Sequence, residues 1–237
     1  MKQPVTIFWF RRDLRLEDNH GLYQALKHHN NVLPIFIFDP EIIDELPVSD
    51  ARLAFIHDQL KKIKQTLEDK FESSLLTLYQ RPEEAFKTLL DQYAIKAVIT
   101  NTDYEPYAII RDTEIKTLLE KHQITFVSYK DQVIFEQNEV VKADGTPYVV
   151  YTPFMRRWRE HLNQTQLKSF ETLKYATSFL ETTAHPLISL EDLKHSPAPI
   201  KIPEYKVDKD MVMAYEAKRN FPAVKGTSKL GPHLRFG

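Results

Sequence analysis

The reading of the fold starts from Val5 to Leu22, VTIFWFRRDLRLEDNHGL. Val5 to Phe10 is a short apolar run rich in β-branched and aromatic residues, the composition of a strand buried on both faces. Arg11, Arg12 and Asp13 end it abruptly. Asp18 or Asn19 can then cap a helix in which Leu22, Ala25 and Leu26 recur at helical spacing. Strand, charged turn and capped helix make the opening half of a βαβ unit. In open α/β sheets the ligand crevice lies outside the carboxyl ends of the strands, where this turn falls.

The same alternation continues along the chain. Val32 to Phe38, Leu75 to Tyr79, Ala97 to Asn101 and Ile124 to Tyr129 read as four further strands. Pro34 counts against a central position for the second of these unless it falls near the strand's start. Between them, a helix capped by Ser49 carries the stripe Leu53, Ile56, Leu60, Ile63 and Leu67, and Pro82 to Tyr93 is a second helix. Thr102 to Tyr107 reads as an exit loop, followed by a helix from Ile109 to His122 with apolar Ile110, Ile115, Leu118 and Leu119. The expected fold is α/β, a doubly wound, Rossmann-like parallel sheet of about five strands, with Phe10 to Arg15 and Asn101 to Glu105 at its carboxyl edge.

After residue 130 the pattern changes. Asp144-Gly145 is a turn dipeptide, and Thr152-Pro153 opens a short helix through Leu162. Residues 163–205 lack periodicity and contain Pro186, Pro197, Pro199 and Pro203, as in a connector running over the surface. Lys209 to Asn220 reads as helical, and Pro232 suits the first turn of another helix.

Composition narrows the possible chemistry. The net charge of -1 creates no global field favouring nucleic acid or an acidic membrane. With no Cys there is no disulfide framework, thiolate metal site or Cys nucleophile. Five Gly, with no GxGxxG and no GxxxxGK[ST], argue against the usual dinucleotide and P-loop fingerprints. No basic-plus-apolar leader opens the sequence and no apolar run approaches membrane-spanning length, so a soluble, cytoplasmic protein is expected.

Several stretches carry a resemblance. Trp9-Phe10-Arg11-Arg12-Asp13-Leu14-Arg15-Leu16 with Asp18-Asn19 resembles the opening of the DNA photolyase/cryptochrome family. Gly145-Thr146-Pro147-Tyr148, Thr152-Pro153-Phe154 and Trp158 are similar to a recurring family segment, and Tyr215 followed by Thr227 to Gly231 resembles the segment with which the family begins to hold FAD. The resemblance implies diphosphate contacts from Tyr215, Thr227, Ser228, Lys229, Leu230 and Gly231. Hydroxyls and amides ahead of a Pro-started helix suit an anion independently of the family, although Gly231 replaces the usual Ser. Read without the family, Thr227-Ser228 is equally an ordinary helix cap, and Arg12, Asp13 and Arg15 are partners that fix a turn.

The run Asn101 to Tyr107 with Arg111-Asp112 is the third match. By resemblance, Arg52 and Asp103 suit a deazaflavin antenna and Glu105 a folate, methenyltetrahydrofolate. A carboxylate here could equally be a structural partner of Arg111. The resemblance implies an antenna-binding domain over residues 1–130, a connector over 131–205 and the truncated start of an all-helical FAD-binding domain over 206–237. It also implies the amino-terminal part of a light-driven enzyme that splits pyrimidine dimers in damaged DNA by electron transfer from reduced FAD. The alternative is a cryptochrome-type photoreceptor. No catalytic or metal-ligating residue is expected within the 237 residues, the chain alone should neither repair nor hold FAD, residues from about 205 should be poorly ordered or borrow contacts from a neighbouring molecule, and a monomer is expected.

Overall fold

Alternate residues of the first apolar run face opposite sides of a sheet, and each side finds its own helices. The fold is that of a computed structural model, which describes residues 2–200 and 202–237. The run is strand β1 (Gln3–Phe10), and the chain continues through α1 (His20–His28), β2 (Val32–Phe38), α2 (Pro40–Ile43), α3 (Ala51–Phe71), β3 (Leu76–Tyr79) and α4 (Pro82–Gln92). Then follow β4 (Tyr93–Asn101), α5 (Pro106–Lys121), β5 (Thr125–Tyr129) and α6 (Tyr151–Gln164), with a 3-10 turn at Thr172–Ser178. The last elements are α7 (Lys209–Met213), α8 (Tyr215–Lys218) and α9 (Gly231–Phe236).

All five strands are parallel, in the order β3-β2-β1-β4-β5. Phe8 and Phe10 pack with Leu22 and Leu26 of α1 and Leu53, Leu60, Ile63 and Leu67 of α3 on one face. Ile7 and Trp9 pack with Ala85, Phe86 and Leu89 of α4 and Ile115 and Leu119 of α5 on the other. The doubly wound sheet is thus present, and its strand order reverses between β1 and β4, the topological switch point. Pro34 sits in an interior strand. It is tolerated because the β3 ladder begins one residue later, at Ile35 opposite Leu76.

Several local expectations shift. The cap of α3 is Asp50, whose carboxylate accepts the Arg52 amide at 2.8 Å, and Ser49 lies outside the helix. Helix α5 begins at Pro106, inside the expected exit loop, and its buried face is Ala108, Arg111, Ile115 and Leu119, leaving Ile110 exposed. Helix α6 begins before Thr152, because the Phe154 amide already reaches the Val150 carbonyl. The expected helix 209–220 breaks at Ala214 into α7 and α8. The closing segment also has partners: the Leu14 amide donates to the Phe236 carbonyl at 2.8 Å, and Phe236 packs against the α1/α3 core.

The charged turn is a buried polar network. Asp13 accepts the Arg11 amide at 2.9 Å on one oxygen, and the amides of Asn19 and Asn101 at 3.1 and 2.5 Å on the other. Asn101 also donates to the Asn19 carbonyl oxygen at 2.8 Å and accepts the Gly21 amide at 2.8 Å. A β-carbon on Gly21 would stand 2.5 Å from that Asn101 oxygen, so the position admits only glycine. Asn101→Ala should strand several buried donors and acceptors and destabilise the protein by about 2–4 kcal/mol. In urea unfolding this is a lower midpoint at unchanged slope, and a loss below about 1 kcal/mol would mean that the network carries little of the fold.

Candidate functional site

Strand carboxyl ends define the site. Turns after β1, β2 and β4, the first residues of α2, α3 and α5, and one side of α9 surround a crevice of about 1360 Å³. Trp9, Phe36 and Phe38 contribute apolar wall, while Arg12, Asp39, Arg52, Asp103, Glu105, Tyr107 and Arg111 bring polar groups to it. All three expected antenna residues, Arg52, Asp103 and Glu105, therefore line one cavity.

Their immediate partners differ from one another. Arg52 is mostly exposed and lies on Asp50, with Nη2 to Oδ2 at 2.7 Å. Asp103 is buried, with Oδ2 3.2 Å from Arg12 Nε, and its other oxygen accepts the Glu105 amide at 3.2 Å. Glu105 is half exposed. Its Oε1 lies 3.1 Å from Arg235 Nη2 and 3.2 Å from Arg12 Nη1, and these two bonds hold the carboxyl below its ordinary range. The sequence reading offered Arg111 as a structural partner for a carboxylate of this run, but Arg111 pairs instead with Asp112 at 3.0 Å. It lies 4.9 Å over the Trp9 ring, and Arg11 approaches the same ring at 5.2 Å.

Two crevice residues escaped the sequence reading. Asp39 follows β2 directly, caps α2 through the Glu41 amide at 3.1 Å and accepts the Tyr107 hydroxyl. Burial pushes the Asp39 carboxyl above its ordinary range, with Tyr107, Arg111 and Arg81 pulling the other way. Burial and the Asp39 bond likewise raise Tyr107. Their signal was positional: both stand just beyond strand ends that were themselves legible.

The expected FAD contacts lie together only in part. Gly226 packs on Lys218, where a β-carbon would come within 2.6 Å of the Lys218 β-carbon. That contact holds the start of the Thr227 to Gly231 run against α8, which begins at Tyr215. Thr227 and Lys229 are exposed, Ser228 is half-buried, and Tyr215 is exposed with the Arg219 guanidinium 5.6 Å over its ring. Leu230 precedes α9, and of the six residues only Gly231 lines the crevice. Among the described residues no cluster of three or more His, Asp or Glu could hold a metal, and no helix is long and apolar enough to cross a membrane.

The raised Asp39 predicts a pH dependence. A carboxyl that binds its proton more tightly folded than unfolded favours the fold below the unfolded pKa and loses that contribution as pH rises through the folded one. Asp39→Asn, which keeps an acceptor for Tyr107 and the cap, should therefore gain stability relative to the parent as pH rises from below 4 to 7. Urea midpoints at the two ends of that range check the sign; a variant-minus-parent midpoint difference that falls or stays constant as pH rises would contradict it.

Comparison with known proteins identifies the frame. The sequence profile of the DNA photolyase family matches residues 6–174, from β1 to the first residues of the 3-10 turn. A deoxyribodipyrimidine photo-lyase of Synechococcus sp. is 31% identical over 255 aligned residues, taking in 100% of this chain and 52% of that protein. Cryptochrome-2 of Arabidopsis thaliana is 31% identical over 163 residues, 68% of this chain and 26% of its own length. The crystal structure of a bacterial class III photolyase from Agrobacterium tumefaciens superposes with a TM-score of 0.77 at 26% identity, covering 99% of this chain and 50% of that one. The chain thus spans about half the length of the photolyases it matches. On the match across the whole sheet and its carboxyl edge, this chain belongs to the DNA photolyase family.

Proposed function

We propose that these residues form the light-harvesting half of a light-driven DNA repair enzyme that splits pyrimidine dimers. The observation that carries the reading is a crevice at the carboxyl edge of the sheet that gathers Arg52, Asp103 and Glu105. Its volume of about 1360 Å³ exceeds that of ordinary small-molecule sites, which leaves room for a planar chromophore and its tail. An antenna bound there would absorb light and pass the excitation to reduced FAD, which would supply the electron that opens the dimer. The chain's own residues hold and orient the chromophore. Asp103, fixed by Arg12, offers an oriented carboxylate, Glu105 offers a second, and Trp9 and Phe38 supply apolar walls.

In this reading residues 1–130 are the antenna-binding domain, 131–205 the connector, and 206–237 the start of the helical FAD-binding domain. Tyr215, Thr227, Ser228, Lys229, Leu230 and Gly231 serve the flavin diphosphate, and damaged DNA binds through the helical part. The fit to FAD within these residues is incomplete. Hydroxyls and a lysine are present, but the run is largely open to solvent, which screens their attraction. The 237-residue chain is accordingly read as a cytoplasmic monomer that neither holds FAD nor repairs DNA by itself. The similarity to cryptochrome-2 supports a second reading, a photoreceptor with the same antenna half and no repair. Photorepair of a dimer-containing oligonucleotide by a protein that joins this half to its helical partner separates the two.

The antenna is read as a deazaflavin in preference to methenyltetrahydrofolate, since by resemblance the folate site also draws on the later helical domain. Fluorescence titration of the 237-residue chain should show deazaflavin bound and folate bound weakly or not at all. Asp103→Ala should weaken deazaflavin by about tenfold or more; unchanged affinity would remove Asp103 from the site. After addition of FAD and desalting, no flavin absorbance should remain with the protein.

A further inference from the structure

Two side chains lining the crevice, Trp9 and Tyr107, are readily oxidised. Against a light-absorbing ligand such rings are a hazard as well as a wall. Trp9 could give one electron to the excited chromophore. The indole would be oxidised and the chromophore reduced, with no bond formed or broken and no proton moved. Tyr107 could do the same and pass its hydroxyl proton to Asp39, which accepts that hydroxyl. When the electron returns, the excitation is spent as heat and none of it reaches a second pigment.

Arg111 stands against both donors. Its guanidinium lies 4.9 Å over the Trp9 ring and 5.9 Å over that of Tyr107. The residue is only 8% exposed, so water screens its charge little. Asp112 does not cancel that charge, because its one carboxylate also holds Arg11, which approaches Trp9 at 5.2 Å. Two cations and one anion leave a net charge of +1 beside the indole. A cation over a ring is drawn to the electron-rich neutral face and opposes the removal of an electron from it. Packing alone does not explain the residue. Helix α5 buries Arg111 along with Ala108, Ile115 and Leu119, and an apolar side chain would fill the place without the cost of burying a charge.

We propose that Arg111 protects the excited state of a crevice-bound chromophore by making Trp9 and Tyr107 poor electron donors. The inference rests on the reading of the crevice as the antenna site. It gives Arg111 an electronic role, exerted through the two rings.

Deazaflavin is the probe, and the fluorescence lifetime of its bound fraction is read. Arg111→Gln should shorten that lifetime about twofold or more, while Arg111→Lys, which keeps a charge, should leave it near the parent's. In both variants Asp112 stays paired through Arg11. Adding Trp9→Phe, Tyr107→Phe or both to Arg111→Gln should restore the lifetime, a rescue that lost packing alone does not produce. An unchanged lifetime in Arg111→Gln, or one that no combination of these restores, would overturn the proposal. If deazaflavin binds neither the parent nor any variant, the crevice reading fails, and a tethered dye then decides the protection. The chain has no Cys, so Ile42→Cys, exposed at the crevice, takes a single oxazine label, whose excited state accepts an electron from indole. The label should be dimmer on Arg111→Gln than on the parent and recover with the phenylalanine substitutions. Equal brightness would overturn the protection independently of any ligand.

Discussion

A single buried carboxylate, that of Asp13, organises the place where the strand order reverses. Its two oxygens take the Arg11 amide and the side-chain amides of Asn19 and Asn101. These three groups come from the end of β1, the cap of α1 and the end of β4. Each would carry an unpaired polar atom into the interior if the others were missing, at about 1–3 kcal/mol apiece. The hydrogen bonds therefore act as a registration device more than as a source of net stability. They set how far β1 extends relative to β4 and where α1 begins, and Gly21 is required because the Asn101 side chain occupies the space of its β-carbon.

That registration determines the crevice. Because Arg11 is drawn inward onto Asp112 and the Asn101 carbonyl, the neighbouring Arg12 is turned to the opposite side, toward Asp103 and Glu105. Arg15 reaches Asp131 at 2.8 Å, which closes the turn against the segment leaving β5. Of Arg12, Asp13 and Arg15, read from sequence as local partners that fix a turn, Asp13 pairs within it. Arg12 and Arg15 instead form their ion pairs far along the chain, with Asp103, Glu105 and Asp131, and through Arg12 the turn reaches both expected antenna carboxylates.

What was legible in the sequence followed from short-range physics. Apolar runs bounded by charge marked the strands, and the stripe Leu53, Ile56, Leu60, Ile63 and Leu67 marked the inward face of α3, on which Ile56 is half-buried and the unforeseen Phe55 is buried. The errors fell where two adjacent residues could do the same work. Ser49 and Asp50 are both good caps, and only the path of the backbone selects Asp50. Thr152 looked like a cap, yet the backbone turns helical before it. Partners were harder to read than positions. The Asp13–Asn101 bond spans 88 residues and the Arg235–Glu105 pair 130, and no local pattern encodes such distances. The docking of α9 was missed for the same reason, since its apolar contact, Phe55, lies on α3.

Burial sorts the charges of the crevice into two kinds. Arg11 and Asp112 keep 6% and 17% of their side-chain surface exposed, and removing either would leave a charge with little water to replace its partner. Such a pair can only be scaffold, because no ligand could substitute for it without that penalty. Arg235 and Glu105 keep 50% and 48%, so water already screens them and exchanging one partner for another costs little. Arg12 stands between, with 22%, joined to the buried Asp103 on one side and the exposed Glu105 on the other. The gradient runs from the strand ends outward to α9. It means that the inner part of the crevice, where Arg12 holds the buried Asp103, can define a fixed shape, while the exposed pair at the outer rim can exchange partners at little cost.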